Sequence, residues 1–216
     1  MAPQPADSGT TSGTQAPVRL APIGGGMIEK LLDAAQALIQ QKGYNGFSYD
    51  DVSRMVGLKK PSIHHYFPRK EDLGASVAQR YADRVEARLA DIDASGDDAA
   101  RRLGAYLQLF FDTYGPSRRI CPCGILGAEM DALPPPVAQA AHRFFRANLA
   151  WLTALLTDGR QTGTLAYEGP AADMAMLLLS TLEGAMIVGR GLGDTDTLNQ
   201  VGATILRNLR AASALA

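Results

Sequence analysis

Apolar residues recur every three or four positions along most of this chain after Met27, and no segment alternates with the period of a strand. The first such stretch contains Ile28, Leu31, Leu32, Ala35, Leu38 and Ile39. This spacing places the side chains on one face of an α-helix. Similar stretches follow, most of them ended by glycine or proline. The sequence therefore predicts an all-α fold of about nine helices.

The first 26 residues differ in composition from the rest of the chain. They contain four prolines and no aromatic residue, so they carry too little apolar surface to offset the entropy of ordering. We therefore expect a disordered tail at 1–26, a small helical domain at 27–73 and a larger helical domain at 74–216.

The charge distribution limits any nucleic-acid site to a local patch, because 21 Lys+Arg against 22 Asp+Glu leave a net charge of -1. Between Asp51 and Glu71, however, the charged residues are all basic: Arg54, Lys59, Lys60, Arg69 and Lys70. Two short predicted helices flank Gly57 in this region, which is the layout of a helix-turn-helix. On charge alone, a solvated surface explains such a run equally well.

The residues around this turn resemble the N-terminal domain of TetR/AcrR-type transcriptional regulators. The resemblance is carried by Gly43-Tyr44, Phe47-Ser48, Asp51-Val52 and the continuous run from Gly57 to Leu73. It implies an N-terminal three-helix helix-turn-helix DNA-binding domain, joined to a C-terminal helical domain that binds a ligand and dimerises.

The resemblance also implies that helix 59–66 enters the major groove of double-stranded DNA. Lys60, Pro61 and His64 would lie near base edges, and other side chains would hold phosphates. The candidate DNA-binding residues are Ser48, Lys59, Lys60, Pro61, Ser62, His64, His65, Tyr66 and Lys70. His64 stands where the family usually has tyrosine, so its contact is open between a base, a phosphate and none. Ile63 and Phe67 are expected to be core residues.

Two late helices, at about 171–191 and 195–213, each have an apolar face. These faces contain Leu178, Leu182, Ala185, Leu198, Val201, Ile205 and Leu209. Packing within the monomer is one reading of them. The resemblance implies the other, a homodimer interface, and with it a near-palindromic operator.

The middle helices are rich in aromatic and flexible apolar residues, a pattern that a plain core also produces. The resemblance implies a cavity there for a small-molecule inducer, and the scarcity of charges on these faces favours an apolar or aromatic one. The candidate ligand-binding residues are Tyr106, Phe110, Tyr114, Cys121, Cys123, Met130, Phe144 and Trp151, with Asp112, Glu129 and His142 as polar candidates.

Cys121-Pro122-Cys123 is the most distinctive local feature of the second half. Arg118 and Arg119 precede it, and a helix starts near Gly124; both would favour thiolate and reaction with electrophiles. An electrophile-sensing or redox-sensing repressor is therefore the alternative function. Structural burial of both thiols is the competing interpretation.

Other function classes find little support in the sequence. The HExxH, GxSxG and GxxxxGK motifs are absent, so we expect no enzyme, no cofactor and no metal site. An architectural DNA binder would carry a large positive charge. The most apolar stretch, Ala171 to Gly189, contains Asp173 and Glu183 and is followed directly by Arg190, which argues against a membrane span. Two cysteines separated by a single proline are expected to remain free thiols, which indicates a reducing compartment. The expected location is therefore the cytoplasm.

Overall fold

A computed structural model describes residues 26–210, and this part of the chain folds into nine α-helices and one 3-10 helix, without a strand. The all-α prediction is confirmed. In chain order the helices are α1 (Met27–Lys42), α2 (Tyr49–Val56), α3 (Lys60–Tyr66), α4 (Lys70–Ala94), α5 (Ala99–Tyr114), α6 (Pro122–Ala128), the 3-10 helix Met130–Ala132, α7 (Pro135–Gln161), α8 (Ala171–Leu192) and α9 (Asp196–Leu209). The expected tail lies outside the described residues, apart from Gly26.

The helix-turn-helix is bounded by local signals. Ser48 and Asp51 form a capping box at the start of α2, in which each side chain bonds the other residue's backbone N–H. Gly57 ends α2 in the left-handed conformation, with φ of 72°. Pro61 lies in the first turn of α3, where its missing N–H leaves no helical bond unmade.

The long helix α4 joins the two halves of the molecule. Its first turns bury Leu73 and Val77 among the helices of the N-terminal domain, and its later turns bury Leu89 in the C-terminal core. The division expected between residues 73 and 74 therefore falls inside one continuous 25-residue helix.

The hydrophobic core has two parts that meet along α4. The smaller part contains Val52 and Ile63 of the helix-turn-helix, and Leu126 of α6 and Val137 of α7 pack into the same cluster. The N-terminal domain thus shares its core with α6 and the start of α7, so movement of these helices can reach α3.

Candidate DNA-binding surface and ligand cavity

The inner face of α3 is fixed to the domain beneath it. Ile63 is fully buried and Phe67, which follows the helix, is buried too, as expected from the sequence. The Tyr49 hydroxyl donates to the Phe67 carbonyl at 2.7 Å. The outer face is exposed and carries most of the candidate DNA-binding residues: Lys59, Lys60, Pro61, Ser62, His65 and Tyr66.

His64 has a defined place in the N-terminal domain. Its ring packs edge-on against Tyr49, with ring centroids 4.6 Å apart, and its Nδ1 lies 3.1 Å from the Pro68 carbonyl. Because a carbonyl only accepts, Nδ1 carries the proton. In the tautomer with that proton alone, Nε2 is an acceptor left for an outside donor such as the amino group of a base.

Two further predicted contact residues, Lys60 and Ser48, also bond to neighbouring side chains. Lys60 Nζ pairs with Asp50 at 2.6 Å, an exposed ion pair that DNA can replace at little cost. Ser48 is exposed, but its hydroxyl is the cap of α2 and donates to Asp51 at 2.8 Å.

Lys70 does not project freely towards solvent. Its ammonium lies over two rings, 4.6 Å from the Tyr44 centroid and 4.5 Å from that of Phe47, and burial lowers its pKa. The cationic head is already stabilised by the rings. The expected phosphate contact would require this lysine to leave that position.

A cavity of about 360 Å³ lies between α4, α5 and α7. Its lining consists of Tyr81, Arg84, Val85, Arg88, Tyr106, Leu109, Phe110, Asp112, Thr113, Cys121, Phe144 and Asn148. Four of the eight predicted ligand contacts are among them: Tyr106, Phe110, Cys121 and Phe144. Of the polar candidates, only Asp112 is.

The other four predicted contacts lie elsewhere. Tyr114 is outside the cavity lining, and its hydroxyl donates to the Asp194 carbonyl at 2.8 Å. Trp151 stacks against Tyr106 at 5.3 Å, outside the cavity wall. Met130 packs against the N-terminal core, and Cys123 is fully buried. Among the polar candidates, Glu129 accepts from the backbone N–H of Tyr44 at 2.6 Å, and His142 is exposed on α7.

Side chains of α4 also line the cavity, which the sequence did not predict. Arg84 and Arg88 recur four residues apart beside the apolar stripe, a spacing that places both on one side of the helix. Asn148 was missed as well. Its side chain accepts from the Tyr106 hydroxyl at 3.2 Å and donates to the Phe144 carbonyl at 2.9 Å, so its buried amide is satisfied.

The sequence predicted that Cys121 and Cys123 favour the thiolate form, and the structure differs from this prediction. Both thiols are free and buried, and burial raises the pKa of each, with the Glu183 carboxylate adding to the effect. Arg118 instead donates to the Gly193 carbonyl. The thiols are therefore protonated, because desolvation outweighs the backbone hydrogen bond from Gly124, at the start of α6, that favours the Cys121 thiolate.

The predicted dimer interface is corrected by the structure. Six of its seven residues are buried inside the protomer and Val201 is half-buried: Leu178, Leu182, Ala185, Leu198, Val201, Ile205 and Leu209. They join the larger core, where α8 and α9 pack on α5 and α7. The faces of α8 and α9 that the sequence predicted to form the interface thus pack inside the protomer.

The outer face of α8 is also apolar. Its exposed large side chains are Met176, Leu177, Ile187, Val188 and Leu192, each between 51% and 71% exposed. Within residues 26–210, α8 alone is long and apolar enough to cross a membrane by length and composition. Its inner face packs on α7 and α9, as that of a core helix does.

Comparison with known proteins agrees with this architecture. Residues 31–77 match the family described as bacterial regulatory proteins, tetR family, and residues 99–205 match the tetracyclin repressor-like C-terminal domain. A TetR-family regulator from Agrobacterium tumefaciens has a similar structure, with a TM-score of 0.82 and 33% identity over 85% of this chain and 97% of that one.

Two curated relatives are similar in sequence. The repressor NemR of Escherichia coli is 28% identical over 73% of this chain and 80% of its own length. The regulator LmrA of Bacillus subtilis is 26% identical over 74% and 84%. With both family domains present on this fold, the chain belongs to the TetR family of helix-turn-helix transcriptional regulators.

Proposed function

We propose that this protein is a dimeric cytoplasmic repressor that binds a near-palindromic operator through α3 and is released by a small, largely apolar or aromatic ligand. One observation carries the proposal: a single helix, α4, belongs both to the core beneath α3 and to the cavity wall. Val77 packs in the N-terminal core, and Tyr81, one turn later, lines the cavity. A ligand that shifts α4 therefore acts directly on the position of α3.

Contacts from the C-terminal domain to α1 support the same coupling. Arg190 of α8 donates to the Gln40 carbonyl at 2.7 Å, and the buried Gln40 side chain donates to the Ile120 carbonyl at 2.9 Å. Glu129, after α6, accepts from the Tyr44 N–H. The end of α1 and the loop to α2 are thus held by three separate parts of the C-terminal domain.

The outer face of α8 supports dimerisation. Leu177, Val188 and Leu192 belong to an exposed apolar stripe, which Ser180 and Thr181 interrupt. The stripe leaves water if two copies pack through α8. A two-fold pair places the two α3 helices on one side of the DNA, in successive turns of the major groove. This geometry favours an operator with two inverted half-sites.

A binding assay with the full chain tests the proposal. A DNA fragment from upstream of the protein's own coding region is compared with a fragment of equal length and composition from inside it, both with excess competitor DNA. We expect a selective shift of the upstream fragment, with two chains bound. Equal retention of both fragments would instead indicate non-specific binding.

Electrophile sensing by the cysteine pair is a second candidate, favoured by one observation: Cys121 lines the cavity, so a small reagent that enters can meet its sulfur. The raised pKa of both thiols argues against it. A thiol-reactive quinone and the double variant Cys121→Ser with Cys123→Ser separate the two functions. Release of wild-type protein from DNA with retention of the variant supports sensing, whereas equal behaviour supports the non-covalent ligand.

A further inference from the structure

The cavity has an aromatic interior and a charged rim. Tyr106 and Phe144 are among its buried lining residues, whereas the exposed ones are Arg84, Arg88 and Asp112. A bound molecule would therefore place its apolar body inside and its polar group at the rim.

The two arginines at the rim, Arg84 and Arg88, have N–H donors that are available to a ligand. Arg88 pairs with no carboxylate in the part of the chain from 26 to 210, and Arg84 is 3.4 Å from Glu29. That same carboxylate is held more closely by Arg80, at 2.7 Å. Asp112, the acid at the rim, accepts from Gln108 at 2.8 Å. The rim thus carries a net positive charge, and each guanidinium offers several N–H donors.

Arg84, Arg88 and Asp112, all at the rim, are the charged side chains of the lining, and the interior part of it has none. The side-chain amide of Asn148 already accepts from Tyr106 and donates to the Phe144 carbonyl. The remaining interior lining is largely hydrocarbon and aromatic ring, with Val85, Leu109 and Phe110 contributing to it. An ionised group placed there would lose its hydration without a partner.

We propose that the ligand is a small monocarboxylic acid with an aromatic or short hydrocarbon body, whose carboxylate is bound by Arg84 and Arg88. The proposal rests on the proposed function, since it names the class of the ligand. The planar fork of arginine matches the two oxygens of a carboxylate, and the two residues lie one turn apart on α4. A volume of about 360 Å³ is near the lower end for small-molecule sites, which suits a single ring or a short chain.

Binding of the acid would also reach the N-terminal domain. Arg84 lies between the cavity and Glu29, which is on α1. A carboxylate that takes Arg84 competes with Glu29 for the same donors. Arg80 keeps its own contacts with Glu29 and with Asp33 at 2.8 Å, so α1 and α4 stay attached while one contact between them is lost.

Fluorescence of Trp151 provides a direct test. It is the single tryptophan of the chain and stacks on Tyr106, which lines the cavity. Full-length protein is titrated with three matched pairs of acid and amide: benzoate and benzamide, phenylacetate and phenylacetamide, hexanoate and hexanamide. At least one acid should bind about tenfold or more tightly than its amide, the difference that charge-assisted hydrogen bonds provide.

Variants assign the preference to the rim. Arg88→Gln and Arg84→Gln should each weaken binding of the acid about tenfold and leave the amide unchanged. Arg146→Gln is the matched control, because Arg146 is exposed on α7 and outside the cavity lining. Circular dichroism confirms that each variant is folded.

Three outcomes would overturn the inference: amides that bind as tightly as their acids in all three pairs, a preferred acid whose affinity both arginine variants retain, or no response to any acid at millimolar concentration. None of these three outcomes contradicts the proposed function, because operator binding is measured without ligand. Loss of selective operator binding would overturn the proposed function and leave the fluorescence result standing.

Discussion

Arg190, in the last turn of α8, donates to the backbone carbonyl of Gln40, near the end of α1, at 2.7 Å. A second N–H of the same guanidinium donates to the Gln41 carbonyl at 3.1 Å. A helix ends with carbonyl groups that have no partner in the helix, so Arg190 supplies α1 with part of its C-terminal cap. The two domains are thereby joined at the point where α1 turns towards α2.

Replacing Arg190 by alanine should loosen this junction. Hydrogen bonds to a charged donor contribute roughly 1.5–3 kcal/mol, so the free energy of unfolding should fall by about 2 kcal/mol. Amide exchange at Gly43 and Tyr44 should accelerate. Chemical denaturation and hydrogen exchange measure the two effects, with Arg207→Ala, at an exposed position of α9, as the control. A variant with wild-type exchange in the loop after α1 would show that the other contacts suffice.

Helix positions and the anchoring of α3 could be predicted from the sequence because each depends on local pattern. A two-turn helix with one apolar face packs that face against the core, and Ile63 of α3 is accordingly buried. The cap of α2 followed in the same way from Ser48 and Asp51.

The orientation of α8 could not be predicted in this way. Leu182 and Val188 are both apolar, and they lie on different faces of one helix, buried and exposed respectively. Periodicity identifies a face only where the other face is polar. Likewise the sequence marks Lys70 as a cation, but its position over Tyr44 depends on how α1 and α4 meet.

Lys59 and Lys60 should have different effects on DNA binding, although they are adjacent. Lys59→Ala removes an exposed cation at the start of α3, so binding should weaken equally for all operator sequences, and the salt slope should fall by about 0.9. Lys60→Ala should relax the preference at one base pair by about 1–3 kcal/mol. Titrations over a series of salt concentrations and single-base operator variants measure both. If Lys60→Ala lowered the salt slope and Lys59→Ala relaxed the base preference, the roles assigned to the two lysines would be reversed.

The two faces of α8 should also respond differently to charge. Val188→Asp alters the exposed stripe, so the variant should stay helical and sediment as a monomer that binds the operator weakly. Leu182→Asp places a carboxylate in the core without a partner, which should destabilise the protomer by several kcal/mol. Sedimentation and thermal unfolding distinguish the variants. A dimeric Val188→Asp protein would move the interface away from this stripe.

Glu183 should make the stability of the protein depend on pH. Its carboxylate oxygens are buried without an N–H or O–H partner among the described residues, and burial raises its pKa from 4.5 to about 7, offset in part by the Cys121 thiol. A raised pKa means that the folded state holds the proton more tightly than the unfolded state. Stability is therefore highest below pH 4.5 as far as this group is concerned, falls between pH 4.5 and about 7, and is constant above.

The loss amounts to about 3 kcal/mol, and Glu183→Gln should remove it because an amide does not titrate. The Cys121 and Cys123 thiols and the Tyr106 hydroxyl that surround the carboxyl stay neutral over this range, since their own pKa values are raised by burial. Denaturation of wild-type and variant proteins at a series of pH values should give curves that separate between pH 4.5 and 7 and run parallel above it. Glu168→Gln, an exposed carboxylate in the loop before α8, is the control and should follow the wild type. Parallel curves for wild type and Glu183→Gln over the whole range would mean that the carboxyl ionises as readily in the folded state as in the unfolded one.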